Sequence, residues 1–181
     1  ETDTDYCKEH KIDIFRRKSG GGCIYADKGC IQFSYISRSV NANEAFAAYM
    51  QRMADLLKGL KIDAQLSGRN DILINGTKVS GCAFYQLSNR SVLHNSLLFD
   101  TQLDHLSNAL TPAKEKLQSK GVASVRQRVT NVATYTQLDI LAFMDYVRQE
   151  MCGTEVLELT EEDMKEVAEI EKELSLSLIH I

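Results

Sequence analysis

Gly68-Arg69-Asn70-Asp71-Ile72-Leu73-Ile74-Asn75-Gly76-Thr77-Lys78-Val79-Ser80-Gly81-Cys82-Ala83-Phe84 reads as two strands joined by Asn75-Gly76. Asn-Gly is the strongest short signal for a type I′ hairpin, because both central residues must take positive φ. Residues 71–74 and 77–84 supply the strands. Asn70 and Asp71 open the first strand and Lys78 lies on its return, so the topology can bring these polar groups to one end or face of a sheet. Lys78 stands in an otherwise apolar stretch, where a charge is costly unless an anion or carboxylate partners it. An edge lysine that discourages aggregation is the competing reading of the same spacing.

Outward from the hairpin, residues 12–17, 23–26 and 31–37 read as strands separated by glycines. Asn41 with Glu44 has capping-box character, and Phe46, Tyr49, Met50, Met53, Leu56, Leu57 and Leu60 then recur at helical spacing. Strand patterning returns from Ile62, and residues 91–99 add a further strand. A short helix over residues 104–110 stops before Pro112, because the residue preceding proline is pushed out of the helical region. Thr136 and Asp139 start a helix predicted to bury Ile140, Met144, Val147 and Met151, followed by a strand at residues 155–159. Thr160 and Asp163 begin a last helix whose glutamates form a solvated acidic face.

The chain has 181 residues, 44% of them hydrophobic and 25% charged, with a net charge of -4 and one proline. This is the composition of one globular domain with a real core, neither disordered nor a basic nucleic-acid coat. The longest apolar runs are far shorter than the roughly 18–20 residues that span a bilayer, so no membrane segment is expected. Cys7, Cys23, Cys30, Cys82 and Cys152 form an odd set without C-x-x-C spacing, which argues against a disulfide framework or structural zinc and for a reducing cytoplasm.

Seven of the ten glycines fall in residues 20–29 and 68–81. In the first window, Arg16-Arg17-Lys18-Ser19 precedes Gly20-Gly21-Gly22. Three bare residues let main-chain N–H groups approach an anion, and the flanking cations add charge, as phosphate binding requires. A flexible turn beside solvated cations fits the same residues. The window is no Walker A loop, because no glycine stands four residues before Gly-Lys-Ser/Thr. Residues 113–130 carry Lys114, Lys116, Lys120, Arg126 and Arg128 against Glu115, a basic cluster in an acidic chain.

Taken together, RRKSGGGCIYADKG (16–29), GRNDILINGTKVSGCAF (68–84), LHNSLLFD (93–100) and KGVASVRQRVTN (120–131), in this order, resemble the lipoate–protein ligase family. The resemblance implies an α+β fold of the biotin and lipoate ligase superfamily: a mixed, largely antiparallel sheet flanked by helices, related to class II aminoacyl-tRNA synthetases. It also implies a two-step reaction. ATP activates lipoate to lipoyl-adenylate, and the lipoyl group then passes to a lysine on lipoyl domains of 2-oxoacid dehydrogenases or on a glycine cleavage H-type acceptor protein. Lys78 matches the family's central lysine, the catalytic residue bridging α-phosphate and lipoyl carbonyl. Arg17, Gly22, Cys23, Ile24 and Tyr25 match the nucleotide-contacting segment. Asn70 and Asp71 match positions that organise the adenylate, with Asp71 a magnesium ligand. Gly20, Gly21 and Gly81 would admit the lipoyl tail.

The chain departs from the pattern at Ala26 and Cys30, where relatives often carry histidine and asparagine. Asn95 and Ser96 replace the glycine and threonine of the family's His-Gly-Thr-Leu-Leu run. His94 is therefore either a residue supporting the site or a packed strand histidine. The resemblance places the family's early strands before Glu1 and a small accessory domain after residue 173. It ends the catalytic domain near residue 175, because residues 176–181 resemble translated sequencing-adapter sequence and are expected to be non-native.

An octanoyl or lipoyl transferase of the same fold is an alternative; its cysteine-dependent versions need a nucleophile before the hairpin, and residues 60–75 contain no cysteine. Biotin ligase fits the motif pair less well. A non-catalytic anion-binding module gripping nucleic acid would need a more basic chain with aromatic residues among the cations. The basic cluster is expected instead to meet an acidic lipoyl domain or to be solvated surface.

Overall fold

A computed structural model describes residues 2–15, 17, 19–38, 41–67, 70–111 and 128–176. Among these the chain forms α1 (Thr4–Glu9), β1 (Cys30–Ser37), α2 (Ala42–Gly59), β2 (Ala64–Ser67), β3 (Asp71–Ile74), β4 (Thr77–Leu87), β5 (Arg90–Leu98) and α3 (Leu103–Ala109). A 3-10 turn at Val132–Tyr135, α4 (Ile140–Met151) and α5 (Glu161–Leu176) follow. The five strands make one sheet in the order β1-β5-β4-β3-β2, with every neighbouring pair antiparallel. The expected α+β class with its largely antiparallel sheet is what the chain builds.

The hairpin turns at Asn75 and Gly76, with φ of 49° and 75°, as a type I′ turn demands. Its ladder pairs Ile74 with Thr77 and Leu73 with Lys78, then resumes with Ile72 opposite Ser80 and Asp71 opposite Gly81. Val79 is the extra residue of a β-bulge. In a regular strand Lys78 and Gly81, three positions apart, would face opposite ways. The bulge cancels one step of alternation and puts both on the face that carries Asp71 and Leu73.

The other face of the sheet holds the core. Asn41 accepts the Glu44 amide at 3.3 Å and starts α2, which buries Tyr49, Met50, Met53, Leu56 and Leu57 with Ile72, Ile74, Leu93 and Leu97. Burying each large apolar side chain contributes roughly 1.5–3 kcal/mol. Tyr49 donates to Asn95 Oδ1, and Asn95 Nδ2 donates to Ser80 Oγ at 2.9 Å, so the polar groups inside this layer are satisfied. Asn95, a departure from the family run, thus has a packing role.

By strand register the opposite face presents Gly81 and Ala83 from β4, His94 and Ser96 from β5, and Gln32 and Ser34 from β1. These are small or polar residues, which leave room above the sheet. Cys30, Leu98, Leu106 and Val129, with Tyr25 packed against them, form a smaller apolar cluster on this side.

Several sequence expectations need correction. Residues 12–15 and 17, and residues 23–26, form no strand, although their side chains alternate. A strand needs a partner, and β1, the edge, pairs only with β5 among the described residues. Residues 155–159 are likewise not a strand; Leu157 is 89% exposed, with no sheet to receive it. In α4 Val147 is buried and Ile140 and Met151 pack against the core as expected, but Met144 is 44% exposed and Phe143 is buried in its stead. Phe143 and Met144 both border that face in a 3.6-residue period, and packing of Phe143 on Phe99, ring centroids 4.8 Å apart, decides which of the two turns inward. Helix α1 carries no strong periodic signal.

The Thr160 cap is confirmed: Thr160 N donates to Asp163 Oδ2 at 2.7 Å and Asp163 N to Thr160 Oγ1 at 3.2 Å. All five cysteines are free. No helix among the described residues is long and apolar enough to cross a membrane. Arg16, Lys18, Gly68, Arg69, Lys114, Lys116, Lys120, Arg126 and residues 177–181 lie outside the described residues.

Candidate functional site

The centre of the site is a carboxylate holding two cations. Lys78 Nζ stands 2.7 Å from Asp71 Oδ1 and Arg128 NH2 stands 2.6 Å from Asp71 Oδ2. The Asp71 side chain is 5% exposed, against 23% for Lys78 and 20% for Arg128. Burial pushes the Asp71 carboxyl up, but Lys78 and then Arg128 outweigh it and hold the group below its ordinary range. Among these three side chains one positive charge remains, suited to an anionic ligand.

Arg128 is the residue that sequence reasoning misplaced, assigning it to the surface basic cluster. The bridge between Val129 and Lys78, and the 2.9 Å hydrogen bond from Thr130 N to Lys78 O, run the 128–130 segment alongside the start of β4. Arg128 is thereby delivered to Asp71. Its place in the KGVASVRQRVTN motif was the available signal.

Gly81 shapes the space at the lysine. A Cβ there would lie 2.7 Å from Lys78 Nζ, so any larger residue would displace the ammonium. Asn70 Nδ2 donates to Cys82 O and Cys82 N donates to Asn70 O, each at 2.9 Å, extending the hairpin by one residue. The Asn70 amide is thus spent on the sheet in this arrangement. Burial pushes the Cys82 thiol up to about 12, so this neighbour of Gly81 is no nucleophile near neutral pH.

The glycine-rich segment crosses the open face two residues further along β4. Arg17 NH2 donates to Gly20 O at 3.0 Å and to Gly22 O at 2.7 Å, folding the segment around its guanidinium. Arg17 Nε is buried without a hydrogen-bond partner among the described residues. Gly21 has φ of 106°, and a Cβ on it would meet Arg17 NH2 at 2.9 Å and Ala83 Cβ at 3.7 Å. Glycine is required there by both conformation and space. Ser19 Oγ is 2.8 Å from His94 Nε2.

Beyond the glycines, Cys23 Sγ contacts Thr2 Oγ1 at 3.2 Å, Ile24 is half-exposed, and Tyr25 packs on the cluster containing Val129. The structure therefore brings Lys78, Asp71 and Gly81 into one group and Arg17, Gly20, Gly21 and Gly22 into another. Gly81 and Ala83 are neighbours on one strand face, about 7 Å apart by strand rise. Asp71, expected to ligate magnesium, has both oxygens engaged by cations. No cluster of three His, Cys, Asp or Glu side chains suited to a metal occurs among the described residues. As arranged, the donor set does not fit a resident ion.

A shallow polar cavity lined by Tyr6, Thr101, Gln102, Leu103, Asp104, His105 and Asn131 shares no residue with either group.

The model of the lipoyl protein ligase A/B catalytic domain matches residues 1–152. Lipoate-protein ligase LplJ of Bacillus subtilis (strain 168) is 34% identical over 182 residues, covering 96% of this chain and 55% of its own length. Lipoate–protein ligase 1 of Staphylococcus aureus (strain Mu50) is 36% identical over 176 residues, covering 94% of this chain and 54% of its own. The chain spans about half the length of these curated relatives.

A solved structure from Thermoplasma acidophilum, described as a bi-partite lipoate protein ligase and its E2 lipoyl domain, superposes with a TM-score of 0.77. It is 28% identical, with 94% of this chain and 70% of that one covered. The sheet, the Lys78 group and the glycine segment over it therefore have a family context: the chain belongs to the lipoyl protein ligase A/B catalytic-domain family.

Proposed function

We propose that this chain carries the adenylate-forming site of an ATP-dependent lipoate–protein ligase. The observation that carries the reading is Lys78, held by a buried Asp71 against the bare backbone of Gly81, on the same sheet face as the Arg17-braced glycine segment. The named relatives, lipoate–protein ligases at 34% and 36% identity, support it.

A carboxylate is a poor electrophile, and its approach to an α-phosphate is opposed by charge. In this reading Lys78 Nζ neutralises the charge that builds on the α-phosphate and lipoyl carbonyl oxygens, a contribution of the kind that costs about 10²–10³ in rate when one donor is removed. Lipoate oxygen bonds to phosphorus and pyrophosphate leaves. The acceptor lysine amine then bonds to the acyl carbon, AMP leaves, and the amine proton passes to solvent.

Arg17 and the backbone of Gly22, Cys23, Ile24 and Tyr25 hold the nucleotide, with Asn70 and Asp71 organising the adenylate end. The buried Arg17 Nε, without a partner among the described residues, is a donor left over for that anion. Gly20, Gly21 and Gly81 leave space for the lipoyl tail. Magnesium arrives as the counter-ion of ATP. The acceptors are lipoyl domains, including glycine cleavage H-type protein, and the setting is cytoplasmic.

Lipoate-dependent ATP–pyrophosphate exchange on the whole protein tests the reading, with Lys78→Ala as control. Absence of exchange from folded protein overturns the ligase assignment, and exchange that survives Lys78→Ala overturns the role of the lysine.

A further inference from the structure

We propose that His94 is a positioning residue: through Ser19 it latches the glycine-rich segment of residues 17–22 onto the open face of the sheet. What that segment contacts when latched rests on the ligase reading above; the latch itself rests on geometry alone.

Among the described residues, 17 and 19–22 pair with no strand, and two kinds of bond organise them. Arg17 ties the segment to itself through the carbonyls of Gly20 and Gly22. These bonds fix its shape but do not fix it to the sheet. The attachment is the 2.8 Å contact between Ser19 Oγ and His94 Nε2, the one hydrogen bond among the described residues that joins residues 17–22 to a strand.

His94 is well placed to anchor. It sits mid-strand on β5, paired with Ser34 on β1 and Ala83 on β4, so backbone ladders fix it on both sides. Small Ala83 beside it lets the segment come down, with the Cβ position of Gly21 3.7 Å from the Ala83 methyl. The pair forms with either imidazole tautomer, because a serine hydroxyl both donates and accepts. Burial, and secondarily the charge of Arg17, hold the His94 imidazole below its ordinary range, which keeps it neutral near pH 7.

A latched segment keeps the Arg17 guanidinium and the glycine amides in one arrangement before any ligand arrives. A released segment must be reordered on binding, so apparent affinity falls by the fraction of time it is open.

Amide hydrogen exchange of the peptide covering residues 17–25, measured on the whole protein without substrates, tests the latch. Wild type is compared with Ser19→Ala, His94→Ala, the double variant and His94→Gln. Each single alanine variant is expected to speed exchange about three- to tenfold, the factor one net hydrogen bond supplies. The double variant should add nothing to either single, and His94→Gln, whose amide can reach the hydroxyl, should recover most of the protection. Exchange unchanged in Ser19→Ala, or effects that multiply in the double variant, would overturn the latch. Ser19→Ala lies in a surface segment and keeps the test decisive if His94→Ala misfolds.

In the ATP–pyrophosphate assay the KM values should rise as the latched fraction falls, by more than kcat falls; a loss confined to kcat also overturns the inference. Wild-type protein without exchange activity would sink the ligase reading, while the amide exchange still decides the latch.

Discussion

Arg128 lies 57 residues after Asp71 in the chain and 2.6 Å from its Oδ2 in the fold. Through this contact the carboxylate that holds Lys78 is shared with a second cation. Asp71 with Lys78 alone would be a neutral pair, closed to anions. With Arg128 the group keeps a positive charge while the carboxylate stays buried and satisfied. Replacing Arg128 by Gln should therefore lower exchange kcat about tenfold or more, as loss of a nearby transition-state charge does. Arg128→Lys, which restores the charge without the forked geometry, should recover part of it. Steady-state kinetics of the three proteins check this, and equal rates in wild type and Arg128→Gln would place Arg128 outside the site.

Asp71 also links the site to acid stability. Burial raises its pKa, but Lys78 and Arg128 outweigh burial and hold the carboxyl below the usual carboxylate range. A group depressed in the folded state stabilises the fold above its unfolded pKa, and that contribution is lost as pH falls through the folded value. Wild type should thus lose thermal stability as pH drops below about 4. Asp71→Asn should show less of this slope and, with two cations left uncompensated, be less stable by roughly 3–5 kcal/mol at pH 7. Thermal unfolding between pH 3 and 7 measures both.

Gly81→Ala separates site geometry from folding. The new methyl would come 2.7 Å from Lys78 Nζ, the mobile end of a long side chain. Lys78 can swing aside, so the melting temperature should hold within a few degrees while exchange activity falls at least tenfold through the misplaced ammonium. A fully active, fully stable Gly81→Ala protein would show that the lysine works elsewhere.

Gly29→Ala should do the opposite. Here the added methyl would lie 2.0 Å from the backbone oxygen of Asp100, which cannot rotate away. Gly29 O also accepts from the amides of Phe99 and Asp100 at 3.1 and 2.9 Å, so a shift would break the junction after β5. A loss of about 1–3 kcal/mol is expected from such overpacking, read by urea unfolding.

The inward face of α4 can be tested directly. Phe143→Ala should cost about 3–5 kcal/mol because the side chain is fully buried against Phe99. Met144→Ala, at a largely exposed position, should change stability by less than about 0.5 kcal/mol. Comparable losses from the two would return Met144 to the buried face.

The sequence by itself determined what is decided by neighbours along the chain. Asn75-Gly76 made the hairpin because few other pairs accept positive φ twice, and Asn41 and Thr160 started helices because their side chains reach amides three residues on. It also contained Lys78, Asp71 and Gly81 within one stretch, together with the Arg17 glycine segment, in the order of a recognisable family. Only the tertiary structure decided the matters that depend on partners far away. The bulge at Val79 turned Lys78 to the face of Asp71, Arg128 left the basic cluster for a buried carboxylate, and His94 found Ser19. Residues 12–15 and 17, 23–26 and 155–159 show the same limit from the other side. Alternating side chains describe a strand's faces, but its hydrogen bonds come from a partner, and among the described residues these stretches have none.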